Sequence, residues 1–145
     1  MIRNLLAAVM VTGLATAALA QADAIKDRQQ TMKAVGGATK ETGAMLKGEA
    51  PFDLEKVQKA LATYQAAAKK MPGLFPENSK TGGDTTASPK IWSDMDGFKA
   101  AFAKFDADAA KASAEIKDAA TFKASFPGVL KNCGGCHETY RVQKN

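Results

Sequence analysis

Near its C-terminus the chain reads Cys133-Gly134-Gly135-Cys136-His137. On a helix, Cys133, Cys136 and His137 fall at i, i+3 and i+4 and project from one face. A face that carries two thiols and an imidazole can grip one flat cofactor. The C-x-x-C-H spacing is the attachment pattern of c-type haem. The thiols add to the two vinyl groups as thioethers, and the imidazole reaches the iron from the proximal side. Gly134 and Gly135 leave the flanks uncrowded.

Three other chemistries use C-x-x-C. A structural zinc site wants four Cys or His ligands, and this chain has two Cys and one His in total. A thioredoxin-like centre wants a βαβ context, and no convincing strand emerges from the apolar spacing. A short Cys133–Cys136 disulfide in an oxidising compartment is the competing reading.

Residues 1–20 have the form of a cleaved Sec-type signal peptide. Arg3 supplies the positive n-region, Leu5 to Leu19 is almost wholly apolar, and Ala18-Leu19-Ala20 is an A-x-A site before Gln21. The apolar run is shorter than the roughly 20 residues of a membrane span, and nothing later approaches that length. The mature chain, residues 21–145, is therefore expected to be exported to the periplasm, where c-type haem is attached, and to form a single haem-binding domain. Loss of Arg3 turns 20 basic residues into 19 against 15 acidic, a net charge of +4. Two haem propionates would halve it. That mild charge suits at most acidic redox partner proteins or anionic surfaces, and no cluster of Arg and Lys interleaved with aromatics points to nucleic acid.

Apolar residues recur at helical spacing throughout, in four segments. The first runs from about Asp23 to Lys47, with Ile25, Met32, Thr39 and Leu46 seven apart and Val35 and Thr42 between them, and is ended by Gly48 and Pro51. The second runs from Asp53, its expected N-cap, to Lys70 along Leu54, Val57, Leu61, Tyr64, Ala68 and Met71. The third opens at Ser88-Pro89 and continues through Met95, Phe98, Phe102, Phe105, Ala109 and Ala112 to Ile116. The fourth starts near Asp118 or Ala119 and reaches Tyr140, with Pro127-Gly128 expected to kink or loosen it at a cost of about 3 kcal/mol. Short joints and seams near period 3.5 predict an all-α fold, an antiparallel up-down-up-down four-helix bundle. Residues 72–87, rich in Gly, Pro and Thr, form a longer connection, expected to cover part of the cofactor's edge or to cross the bundle end as a passive linker.

A single His excludes bis-histidine ligation, so the sixth iron position is a Met or is open. In such a bundle Met32, Met71 and Met95 lie at the level of His137. Met45, thirteen residues beyond Met32, lies about 20 Å too far along the helix. Periodicity does not choose among the three, and a Met on an apolar seam is commonly a core filler.

Ala24 to Lys33, Lys47 to Asp53, Ser88 to Trp92 and Asn132 to Arg141 together resemble the class II cytochrome c family, the cytochrome c′ and cytochrome c-556 proteins. The likeness spans all four helices and implies a bundle of the cytochrome c′ and cytochrome b562 kind. It also implies one covalent haem c on Cys133 and Cys136, with His137 as proximal iron ligand. It places Met32 at the distal position, where a Met binds the iron in c-556 members and only blocks it in cytochromes c′. It puts Arg28 and Gln29 near the haem and its propionates, Arg141 near the proximal His, and Asp84 at the haem edge. Homodimers packed through the first two helices are frequent in the family.

Two functions follow as expectations. One is a periplasmic electron carrier with His137/Met32 ligation. The other is a five-coordinate module that binds nitric oxide or carbon monoxide. A third, colourless reading is a helical binding protein with a structural disulfide. With no second His to act as base and no convincing carboxylate pair, an enzyme is not expected.

Overall fold

A computed structural model describes residues 7–143, and for residues 7–20 the backbone course alone. The predicted leader and its cleavage site thus fall on residues that are undescribed or described only in backbone. Five helices follow in order: α1 Ala7–Lys47, α2 Leu54–Lys70, α3 Lys90–Ser93, α4 Met95–Glu115 and α5 Ala119–Tyr140. The four long ones make the expected bundle, α1 packing on α2, α2 on α4 and α4 on α5. Among the described residues no helix is long and apolar enough to cross a membrane.

Local chemistry sets the helix ends. The last turn of α1 closes as a Schellman motif, Gly48 N donating to Met45 O at 3.2 Å and Glu49 N to Ala44 O at 2.9 Å. Asp53 caps α2 by accepting from Lys56 N at 3.1 Å. Asp118 and Thr121 form a reciprocal capping box at the start of α5.

Tyr64 of α2 is the centre of the core. It is fully buried, with its ring 5.5 Å from Phe105 of α4 and 6.1 Å from Phe126 of α5, and its hydroxyl 2.9 Å from Thr39 Oγ1 of α1. One side chain therefore touches the other three helices. Burying each such ring stabilises the fold by about 1.5–3 kcal/mol.

Two expectations are corrected. The third segment is not one helix: after α3, Asp94 turns the backbone to φ −144, ψ 52, and its side chain restarts the chain as α4 by accepting from Gly97 N. A polar residue that can cap its own successor competes with helix continuation, and the apolar seam runs unbroken across the joint. The fourth segment, by contrast, is not interrupted, since α5 runs through Pro127. Pro127 and Gly128 are exposed while Phe122, Phe126 and Val129 are buried. Packing of those three holds the helix, and the missing N–H lies on its wet side.

Residues 71–89 are a strap rather than a free linker, with 3₁₀ turns at Met71–Leu74 and Glu77–Ser79. On one side α1 ties it down: Gln21 Nε2 donates to Thr81 O at 2.6 Å, Arg28 Nη2 to Ser79 O at 3.0 Å and Gln29 Nε2 to Asp84 O at 3.2 Å. Gly82 sits there at φ +91, a backbone conformation that a side chain would strain. On the other side Ser88 N donates to Tyr140 O, Val142 N donates to Thr86 O, and Ala87 and Arg141 form an antiparallel bridge. The strap thus joins α1 to the end of α5.

A candidate cofactor site between α1 and α5

The first and last helices flank an apolar cavity of about 60 Å³ that opens to solvent. Met32 and Val35 line it from α1, Phe102 and Phe105 from α4, and Cys133, Cys136 and His137 from α5, with Ala101 and Asn132 at its edge.

Each member is placed by its helix. Cys133, Cys136 and His137 share the cavity-facing side of α5, as their i, i+3, i+4 spacing requires. Both thiols are free and half-buried, and burial pushes both above the usual thiol range, Cys136 also through the charge of Cys133. His137 is exposed as a whole residue, yet the surrounding protein pushes its pKa down, with Arg141 adding to the effect. That favours the neutral imidazole, the form that ligates a metal. Asn132 is anchored beside Cys133: its Nδ2 donates to Asp108 Oδ2 at 2.8 Å, and Lys104 Nζ donates to the same oxygen at 2.5 Å. Those two contacts, Lys104 first, hold the Asp108 carboxyl below the usual carboxylate range.

Of the candidate methionines, Met32 lines the cavity, whereas Met71 and Met45 are buried in the core and Met95 packs against it. Arg28, one turn before Met32, is 5% exposed and lies 4.5 Å over the Phe75 ring. Burial pushes its pKa down. Nη2 is bonded to Ser79 O, but Nε and Nη1 are buried without a protein partner. Two unmet donors on a buried cation are costly unless an anionic group meets them. Gln29 and Asp84 meet each other on the strap and do not line the cavity, and Arg141 lies just past α5. Phe102 and Phe105 as cavity walls, and the Lys104–Asp108–Asn132 network, went unread in the sequence. The Phe spacing marked a seam without saying which part of it faces a ligand.

The arrangement fits a haem: apolar walls, two thiols and a neutral imidazole on one side, and a cation with spare donors beyond. A family model described as Cytochrome C' matches residues 23–141. The chain belongs to the cytochrome c′ family. Members carry one covalently attached haem c with its iron. Cytochrome c' of Rhodopseudomonas palustris is 52% identical over 128 residues, 88% of each chain. A cytochrome c-556 of Agrobacterium tumefaciens is 39% identical over 121 residues, 83% of this chain and 98% of that one. The solved structure of the Rhodopseudomonas palustris cytochrome c' superposes with a TM-score of 0.83 at 51% identity, covering 85% of this chain and 98% of that chain.

Proposed function

We propose that residues 21–145, freed of a leader of residues 1–20, act as a periplasmic electron carrier. In this reading Cys133 and Cys136 hold the haem, His137 is the proximal ligand and Met32 the distal one. The observation that carries it is that Met32 and His137 line one cavity from opposite helices. Bound there, haem c supplies a one-electron iron couple.

The chain's own residues account for the rest. Cys133 and Cys136 would hold the macrocycle by two thioethers, and His137, the next residue on the same face of α5, would offer its imidazole to the iron. Met32, which lines the cavity from α1, would offer its thioether to the iron, a ligand that favours the reduced metal and raises the potential. Val35, Phe102 and Phe105 exclude water from the iron's surroundings, and Arg28 offers its unmet N–H groups to a propionate. The partners are redox proteins with acidic surfaces. No substrate conversion is assigned, because the chain's single imidazole is taken by the iron.

A second reading, five-coordinate iron that takes nitric oxide or carbon monoxide with Met32 only blocking the distal side, is favoured by one finding. The relative at 52% identity is named cytochrome c', and the one at 39% cytochrome c-556. The electronic spectrum separates the two. The carrier gives a low-spin reduced protein that carbon monoxide leaves unchanged and that Met32→Ala converts to high spin. A high-spin spectrum that shifts with carbon monoxide in the unmutated protein assigns the second reading.

A further inference from the structure

The turn of α5 that carries His137 has little in its own sequence to hold it as a helix. Gly134 and Gly135 precede it, Arg141 after it is extended, and Glu138 and Thr139 are exposed. A helix end of that composition frays unless tertiary contacts hold it. The strap's backbone bonds to Tyr140 O and from Val142 N hold the chain just beyond it, and the Tyr140 side chain holds the turn itself. Its ring packs edge-on at 5.2 Å against the buried Phe98, and its hydroxyl donates to Asp94 Oδ2 at 3.0 Å.

Asp94 is the residue at which the third segment breaks, and its other oxygen caps α4 through Gly97 N at 3.3 Å. Gly97 itself is fitted to the contact. A Cβ there would lie 2.6 Å and 2.7 Å from the two Asp94 oxygens and 2.7 Å from the Tyr140 hydroxyl. The Asp94 side chain is thus shared between the start of α4 and the end of α5, in a space that only a glycine leaves open.

We infer that Asp94 and Gly97 are positioning residues for His137, acting through Tyr140, which sits one turn further along the same helix. The inference rests on His137 being the proximal ligand. Loss of the clamp lets the last turn of α5 tilt or fray, and the imidazole then meets the iron with altered geometry.

Three variants test it. Tyr140→Phe removes one hydroxyl and keeps the ring on Phe98. Gly97→Ala drives a methyl group into the clamp and removes no hydrogen-bonding group. Asp118→Ala weakens α5 at its other end and serves as the control. The haem-loaded proteins are compared by midpoint potential and spin state, and the cofactor-free proteins by amide exchange at Glu138 to Val142. The first two variants are expected to shift the midpoint by about 59 mV, a tenfold change in the ratio of the two oxidation states' affinities. They are also expected to speed exchange at those amides about tenfold, with neither effect in Asp118→Ala. Potentials that move no more than in Asp118→Ala overturn the inference and leave the haem reading intact. Failure of the unmutated protein to take up haem overturns the reading instead. Amide exchange then decides the clamp alone: unchanged protection in Tyr140→Phe ends it, and lost protection sustains it.

Discussion

Met32 on α1 and His137 on α5 line the same apolar cavity, 105 positions apart in the chain. Met32 is only partly buried and lies at the edge of the core, so its role there is separable from packing. Met32→Leu conserves volume and is expected to change unfolding free energy by less than about 1.5 kcal/mol. If Met32 ligates the iron, the same substitution lowers the midpoint potential and opens the haem to carbon monoxide. Urea unfolding and a redox titration on one preparation check both halves.

Arg28 sets up an opposite dependence on the cofactor. With Nε and Nη1 unmet, replacing Arg28 by Met in the cofactor-free protein relieves a buried charge and leaves stability unchanged or raised. If a propionate meets Arg28 in the haem-loaded protein, the same change removes a charge-assisted bond there, a loss of about 1–3 kcal/mol. Equal effects in the two forms would rule out an anionic partner for Arg28.

Acid stability has identifiable sources. Tyr140, then Lys90 and Gly97 N, hold the Asp94 carboxyl below its ordinary range, and Lys104 and Asn132 do the same for Asp108. Carboxyls with a lowered folded-state pKa contribute stability that is fully present above the unfolded value near about 4 and is lost as pH falls through the folded value. The urea midpoint of the cofactor-free protein is therefore expected to be flat above about pH 5 and to fall below it. Asp94→Asn and Asp108→Asn each make that fall shallower.

Pro127 and Gly128, two of the helix breakers in α5, are stabilisation sites. Gly128 is exposed, has helical backbone and has nothing within 4 Å of an added Cβ, so Gly128→Ala should add about 0.5–1 kcal/mol. Pro127→Ala restores a backbone donor and is expected to add more, up to about 3 kcal/mol. Thermal unfolding of the cofactor-free variants measures each gain.

The bundle was legible because its seams are local. Leu61, Tyr64 and Ala68 repeat at helical spacing and are all buried, and Asp53 caps the helix it precedes. That Cys133, Cys136 and His137 share one face was equally legible, since one helix's geometry sets it. What stayed hidden depends on contacts between distant residues. Asp94 breaks a helix to meet Gly97 and Tyr140, and Arg28 reaches across 51 positions to Ser79. Pro127 misled for the converse reason: a strong local signal was overridden by burial of Phe122, Phe126 and Val129.

The cavity between the first and last helices also has a consequence for the polymer. A ligand bond from Met32 to an iron already tethered through Cys133 would close a ring of about 100 residues. In the chain-entropy account, a cross-link of that span removes about 4.7 kcal/mol of freedom from the unfolded chain. The iron would then act as a reversible staple, and a change of oxidation state or an incoming gas that released Met32 would loosen the whole fold along with the iron.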